Sequence, residues 1–390
     1  MASHIQLLVT RLSDLPDPRQ AGKVSYPLVE MALTCVAGVV ADCEGWDDIA
    51  EFGRDQLEWL RQFLPFEHGV ASEDTFARVF SVVNIECFER LLSQWVDEVF
   101  RQRRPPTGIA LEPAGQSSPR EVVPFDGKTL RRSHNRANEQ AALHVVSAWA
   151  SELGVSLGQL AVPEKSNEIT AIPQLVTSLN LVDCIVTTDA MGCQKEIART
   201  IREAEADYVL AVKGNQPTLL QIVAQFFEDM EQHEVAGTVF ESHETLEQNH
   251  GRREHRLYWQ APAPVALTSS GEWADLQTLG MAINERTIGE QTTSETRYFI
   301  SSLSCDVLEF SRAVRSHWSI ENSLHWRLDV VFHEDDSRQR IGHSARAFSQ
   351  IRRIALSLLN QEKTTQKSLR AKRKKAARNP DYLLKVLTGV

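Results

Sequence analysis

Long apolar runs, paired cysteines and aromatic side chains are all scarce in this sequence. No stretch reaches the ~18 uninterrupted apolar residues that a membrane-spanning helix needs. The nearest, residues 26–41, carries Glu30 and reads as a buried helix. The N-terminus lacks the ordered basic start, apolar block and small-residue cleavage site of a secretory leader, so a cytoplasmic (nucleoid-associated) protein with no membrane partner is expected. The six cysteines, Cys35, Cys43, Cys87, Cys184, Cys193 and Cys305, are scattered with no Cys-x-x-Cys pair, which argues against a zinc knuckle or a disulfide framework. Aromatics make up 7% of the chain, but hydrophobic residues reach 42% of 390. That is enough for buried cores, excludes wholesale disorder and predicts two or three domains.

Net positive charge is also missing: the total is −10. The total hides an asymmetry, because residues 337–390 hold 14 Lys+Arg against Glu362 and Asp381, a net of +12. The remainder is −22. Screening limits electrostatic reach to about 8–10 Å, so local charge decides polyanion binding. The basic end, with Lys372, Arg373, Lys374 and Lys375 in one run, can grip phosphate; a solvated basic tail is the alternative.

Residues 1–105 read as helical. An apolar helix is predicted over 27–41 and an amphipathic one over 46–64. A third starts after the N-cap Ser72, and a fourth covers about 87–100. This suits a DNA-binding helical module and equally any small bundle. Residues 106–120 form a Pro-, Gly- and Ser-containing linker. Strands are then predicted at 122–126, 144–150 and 156–162, with a helix at 168–179 capped by Asn167. A strand at 184–188, a helix at 194–206, a strand at 208–212 and a helix from Pro217 follow. Three strands followed by strand–helix alternation predict a mixed α/β sheet flanked by helices over residues 121–232. A β-rich insertion is expected over 233–304, with strands at 238–244, 254–260, 277–286 and 296–301. A long helix from about 307 to 332 opens the segment 305–360, and 361–390 is the basic C-terminal tail.

Asp126 and Asp189 each close an apolar, β-rich run (VVPFDGK and CIVTTDAMG). Ligands of open α/β sheets gather beyond the carboxyl ends of strands, although Asp also favours turns for purely local reasons. Glu321 lies in SHWSIENSLHWRLDVVF, where Val314, Trp318, Glu321 and Leu328 follow a helical period, so it is expected to face the sheet. Three hard oxygen donors would suit Mg²⁺ or Mn²⁺, and two such ions can activate an attacking oxygen and stabilise a leaving one. An ordinary surface glutamate is the alternative. A zinc site from His317, Glu321 and His325 also fits the spacing of four, but the His-Glu-x-x-His arrangement is absent. Trp318 and Trp326 read as core residues, with stacking on an unpaired base as the alternative.

Five ordered motifs, VPFDGKTLRRS, AVPEKSNEITAIPQL, TTDAMGCQ, YVLAVKGNQ and RSHWSIENSLHWRLDVVFHEDDSR, together resemble the H-repeat-associated insertion-sequence transposases of the DDE, RNase H-like superfamily. The likeness covers about residues 15–360, including the N-terminal run DPRQAGKVSYPLVEMALTC and SEDTFARVFS. It implies an RNase H-like core interrupted by the β-rich insertion, preceded by a helical domain. It implies cleavage at element ends and 3′-hydroxyl strand transfer, using two Mg²⁺ or Mn²⁺ ions held by Asp126, Asp189 and Glu321. Double-stranded DNA is the implied partner, bound by a dimer, with no small-molecule cofactor. Lys128, Lys165, Lys213 and Asn215 beside strand ends are candidate DNA contacts. Related families place Tyr, Arg and Lys around the glutamate, where this chain has Val314, His317 and Leu328; Arg315, His317 and Arg327 are expected to take over phosphate contacts. A domesticated nuclease that cuts without joining, and a DNA-binding protein with an inactive core, are the competing functions.

Overall fold

The computed structural model describes residues 3–101, 119–134, 141–162, 168–233, 240–249 and 251–389. Two compact units emerge, each assembled from separated stretches of chain. The nine strands are β1 (Val122–Thr129), β2 (His144–Ala150), β3 (Val155–Val162), β4 (Ile185–Thr188), β5 (Asp207–Val212), β6 (Glu241–Asn249), β7 (Arg252–Pro262), β8 (Thr278–Ile288) and β9 (Gln291–Ser301). The fold is mixed α/β.

The first unit comprises residues 1–108, 127–165 and 321–390. Its strand order is β3-β2-β1, with the end of β1 contributing, and β2 and β3 pair antiparallel. Helix Ser344–Gln361 fills its centre, with Ala347, Phe348, Ile351, Ile354, Ala355 and Leu358 all buried. The apolar helix Leu28–Val40 packs on it, as a helix apolar on nearly every side must. Trp46 stacks on Phe80 at 5.1 Å and meets Phe348 edge-on at 4.8 Å. The single amphipathic helix expected over 46–64 is two, Trp46–Asp55 and Leu57–Leu60, parted at Gln56. The basic end is no loose tail, since Leu369–Arg378 and Pro380–Thr388 are helices that bury Tyr382, Leu383 and Val386.

The second unit comprises residues 109–126 and 166–320. Its order is β1-β4-β5-β9-β8-β7-β6. β1, β4 and β5 run parallel, as their near-continuous β-branched and apolar runs require of strands buried on both faces. β9 then joins β5 antiparallel, Val209 opposite Ser301, and β8, β7 and β6 continue the meander. The β-rich insertion therefore extends the same sheet. Helix Val307–His317, capped by Asp306 through the Leu308 and Glu309 amides, lays Phe310 against β8. A Cβ on Gly280 would stand 2.2 Å from that ring, so glycine is what allows the helix to approach.

The helix expected over 307–332 is interrupted. An α-helix over Val307–His317 gives way to a π-helical run, Ile320–His325, and α-helix resumes over Trp326–Phe332. The linker 106–120 and the cap Asn167 fall almost wholly outside the described residues. No described helix is long and apolar enough to cross a membrane.

Candidate active site

In the second unit β1 and β4 pair in parallel register from Val122 with Ile185 to Phe125 with Thr188. The next residue on each strand is an aspartate, Asp126 and Asp189, so the two carboxylates start from neighbouring backbone positions. Both are partly buried. Asp189 caps the turn that follows, accepting hydrogen bonds from the Met191 and Gly192 amides at 3.0 and 3.4 Å. That turn folds back tightly: a Cβ on Gly192 would stand 2.5 Å from the Thr188 side chain. This explains the glycine in DAMG.

A second loop braces the first. Asn215 donates through Nδ2 to the Ala190 carbonyl at 2.6 Å, and Gln216 donates through Nε2 to the Cys193 carbonyl at 3.0 Å. The motifs KGNQ and DAMGCQ thus meet, and Asn215, expected at DNA, holds the Asp189 turn. Lys213 is exposed. His317 Nδ1 is hydrogen-bonded to Thr187 Oγ1 at 3.0 Å. Burial pushes its pKa down to about 4; Asp189 works against this, and Arg297 and Lys213 with it. The imidazole is therefore neutral at pH 7 and no fixed cation for phosphate. The Arg297 guanidinium lies 4.4 Å from the ring centroid of Trp318, which is exposed rather than in the core. Arg315 is half-exposed and ion-paired with Glu247.

In the first unit Lys128 is buried, with its ammonium on Asp329 and on Glu334 at 3.0 Å. Glu334 also pairs with Arg353 at 2.9 Å, and neither side chain is exposed to solvent. Lys128 therefore anchors the end of β1 and is not open to DNA. Arg327 is half-buried and donates to Asn360 Oδ1 at 3.0 Å. Glu321 is exposed, a correction to its expected place facing the sheet. The π turn accounts for it: the wider turn moves the buried positions to Ile320, Leu324 and Leu328 and rotates Glu321 and Trp326 outward.

Two of the four clustered C-terminal cations are also internal. Lys372 donates to the Leu359 carbonyl at 3.0 Å and pairs with Glu362. Arg373 donates to the carbonyls of Val39 and Cys43 at 3.2 and 3.3 Å and pairs with Asp42. Lys374 is exposed, and Lys375 lies over the Tyr382 ring at 4.0 Å. Lys165 lies outside the described residues.

Carboxylate oxygens are the hard donors Mg²⁺ or Mn²⁺ takes, and Asp126 with Asp189 fit as two of them. Among the described residues no three or more His, Cys, Asp or Glu side chains gather into a metal-holding group. The zinc site from His317, Glu321 and His325 is thus not formed, since the π run breaks the regular spacing it relied on. The residues that reading by motif left without a role are Thr187, Gln216, Arg297, Glu334 and Arg353. Gln216 and Glu334 stand inside the motifs KGNQ and HEDDSR, but only long-range contacts give them partners.

Comparison with known proteins agrees with this layout. Residues 117–358 match the family described as "Transposase DDE domain", and residues 9–96 match "DDE_Tnp_1-associated". The "H repeat-associated putative transposase YhhI" of Escherichia coli K12 is 38% identical over 390 residues, covering 99% of this chain and 98% of that protein. A protein from Escherichia coli O157:H7, YncI, is 39% identical over 389 residues, covering 99% and 95%. The "Inactive transposase YbfQ" of the K12 strain is 40% identical over 77 residues, 20% of this chain and 92% of that one. A solved piggyBac transposase synaptic complex with hairpin DNA aligns over 99% of this chain and 79% of that one. At 11% identity and a TM-score of 0.43 the likeness is too loose to bear on the fold. The chain belongs to the transposase DDE family, alongside the H repeat-associated proteins.

Proposed function

We propose that this transposase cleaves DNA at the ends of an insertion element and joins the freed 3′-hydroxyl to target DNA, with Asp126, Asp189 and Glu321 as its catalytic carboxylates. The observation that carries the reading is the position of Asp126 and Asp189, each directly after the last paired residue of two hydrogen-bonded parallel strands, within the span of the DDE family match. Glu321 enters by its motif, HWSIEN, and by its exposed position in a π turn, a feature that recurs at functional sites.

The three carboxylates would hold two Mg²⁺ or Mn²⁺ ions. Such ions lower the pKa of water and neutralise charge on the phosphate and the leaving oxygen. The protein's own contribution is positioning and electrostatics. The capped turn at Met191 and Gly192 fixes the Asp189 carboxylate, and Asn215 and Gln216 hold that turn. Lys213 offers an exposed cation for a phosphate oxygen, and neutral His317 keeps Thr187 in place beneath Asp189. Double-stranded DNA is the substrate, a dimer is needed to hold two element ends, and the nucleoid is the working location.

Asp126→Asn, Asp189→Asn and Glu321→Gln should each abolish metal-dependent nicking of a duplex carrying the element end while binding to it persists. Cleavage retained by any one of them removes that residue from the site. A second reading is a DNA-binding protein with an inactive core, favoured by the relative over 77 residues that carries the name "Inactive transposase YbfQ". Mn²⁺ titration separates the two: binding that Asp126→Asn and Asp189→Asn both abolish favours the enzyme, and no binding in the wild type favours the inactive core. A joining assay distinguishes a transposase from a nuclease that only cuts.

A further inference from the structure

A cavity of about 520 Å³ opens in the first unit between helix Trp326–Phe332, the turn after helix Ser344–Gln361 and the start of helix Leu369–Arg378. Arg327, Lys363, Lys367, Arg370 and Lys372 line it, and no acidic residue does. Such a wall is notable in a chain of net charge −10. Two of these cations have internal partners: Lys372 at the Leu359 carbonyl and Arg327 at Asn360. Lys363, Lys367 and Arg370 are exposed, and no ion pair among the described residues engages them. At the rim Trp326 is 57% exposed, with Val330 beside it also exposed.

Three unengaged cations would be enough to hold a duplex backbone, which needs phosphate contacts only. The exposed indole adds something a duplex cannot use, because its bases are stacked on one another. Every base has a π face, and an aromatic platform next to a cationic groove binds unpaired strands without strong sequence preference. We propose that this groove binds an unpaired stretch of DNA, with phosphates on Lys363, Lys367 and Arg370 and a base on Trp326. The proposal rests on the transposase reading for its ligand class. It deepens that reading by assigning a single-strand site that the three carboxylates do not provide.

The test uses the full-length protein, a fluorescent fifteen-nucleotide oligothymidylate and a hairpin duplex, read by anisotropy across a salt series. Trp326→Ala should weaken oligothymidylate binding about tenfold, Trp326→Phe should restore most of it, and duplex binding should change less than twofold. Lys363→Gln, Lys367→Gln and Arg370→Gln together should flatten the single-strand salt slope by about two. Thermal melting checks that each variant is folded. Wild-type indifference to oligothymidylate, equal binding by Trp326→Ala, or equal loss on the duplex overturns the proposal. So does binding of phosphatidylserine vesicles that the triple substitution abolishes while oligothymidylate binding stays intact. Wild type that binds the oligonucleotide through Trp326 but never nicks an element end sinks the transposase reading and leaves the groove standing. Nicking with oligonucleotide binding untouched by every variant does the reverse.

Discussion

Arg373 and Lys374 are adjacent in sequence and opposite in fate. One is buried against the carbonyls of Val39, Val331 and Cys43, and the other faces solvent. A run of cations reads as a surface feature, because burying a charge is costly unless it is paired and hydrogen-bonded. Two of these partners lie 334 and 330 positions away and the third 42, so no local pattern announces them. Arg373→Ala should therefore lower stability by about 3 kcal/mol, measured by urea unfolding, and leave the salt slope of DNA binding unchanged. A slope that falls as far as it does for Lys374→Ala would contradict the buried placement. Glu334 makes the same point with the opposite sign. Burial alone would raise its pKa, but Arg353, Lys128 and Arg352 outweigh it and bring it down to about 2. A carboxylate held below its ordinary value near 4.5 contributes stability that is fully present above that value. The contribution disappears as pH falls from about 4.5 toward about 2. Glu334→Gln should cost about 3–5 kcal/mol at pH 7 by leaving buried Arg353 without its carboxylate and removing one of the carboxylates on Lys128. The gap to wild type should close in unfolding experiments carried toward pH 2; a gap of constant size across that range would remove Glu334 as its source.

At the scale of elements, the strands were the most legible features. β2 matches its expected span of 144–150, and β4 and β5 lie within one residue of theirs, because β-branched runs bounded by turn residues have few other uses. The four strands of the insertion were expected at about the right places but one to five residues shorter, since hairpin strands with polar outer faces carry less apolar signal at their tips. The π run was not legible. A single helical period fits residues 314–328 on paper, and only the packing of Ile320 and Leu324 reveals the wider turn. The contact between helix Val307–His317 and β8 was also hidden, because it depends on the missing side chain of Gly280. Gly280→Ala should destabilise by about 1–3 kcal/mol through overpacking against Phe310. Phe310→Leu should recover part of that loss in the double variant. Strictly additive effects in a thermal-melt cycle would show that the two positions do not touch.

For the molecule as a whole, the aspartates of the site were legible and the glutamate only by its motif. Parallel register puts Asp126 and Asp189 together with four paired residues behind them, whereas Glu321 opens the last of three stretches that build the first unit. Helix Ser344–Gln361, at the heart of that unit, is translated only after the second unit is complete. A chain ending at Ile320 should consequently lack cooperative melting of its N-terminal helices, read by far-ultraviolet circular dichroism; an intact transition for those helices would show that they form a core without it.

The junction of β9 with β5 also limits how the β-rich insertion of this chain can be gained or lost. A module hung on two loops can be excised without consequence, but this meander supplies the hydrogen-bonding neighbour of β5. Joining residue 233 directly to residue 304 would leave the β5 amides and carbonyls as a bare, apolar margin, open to any passing strand. Such a shortened protein should form multimers or precipitate as its concentration rises, so the meander acts as the seal on that margin.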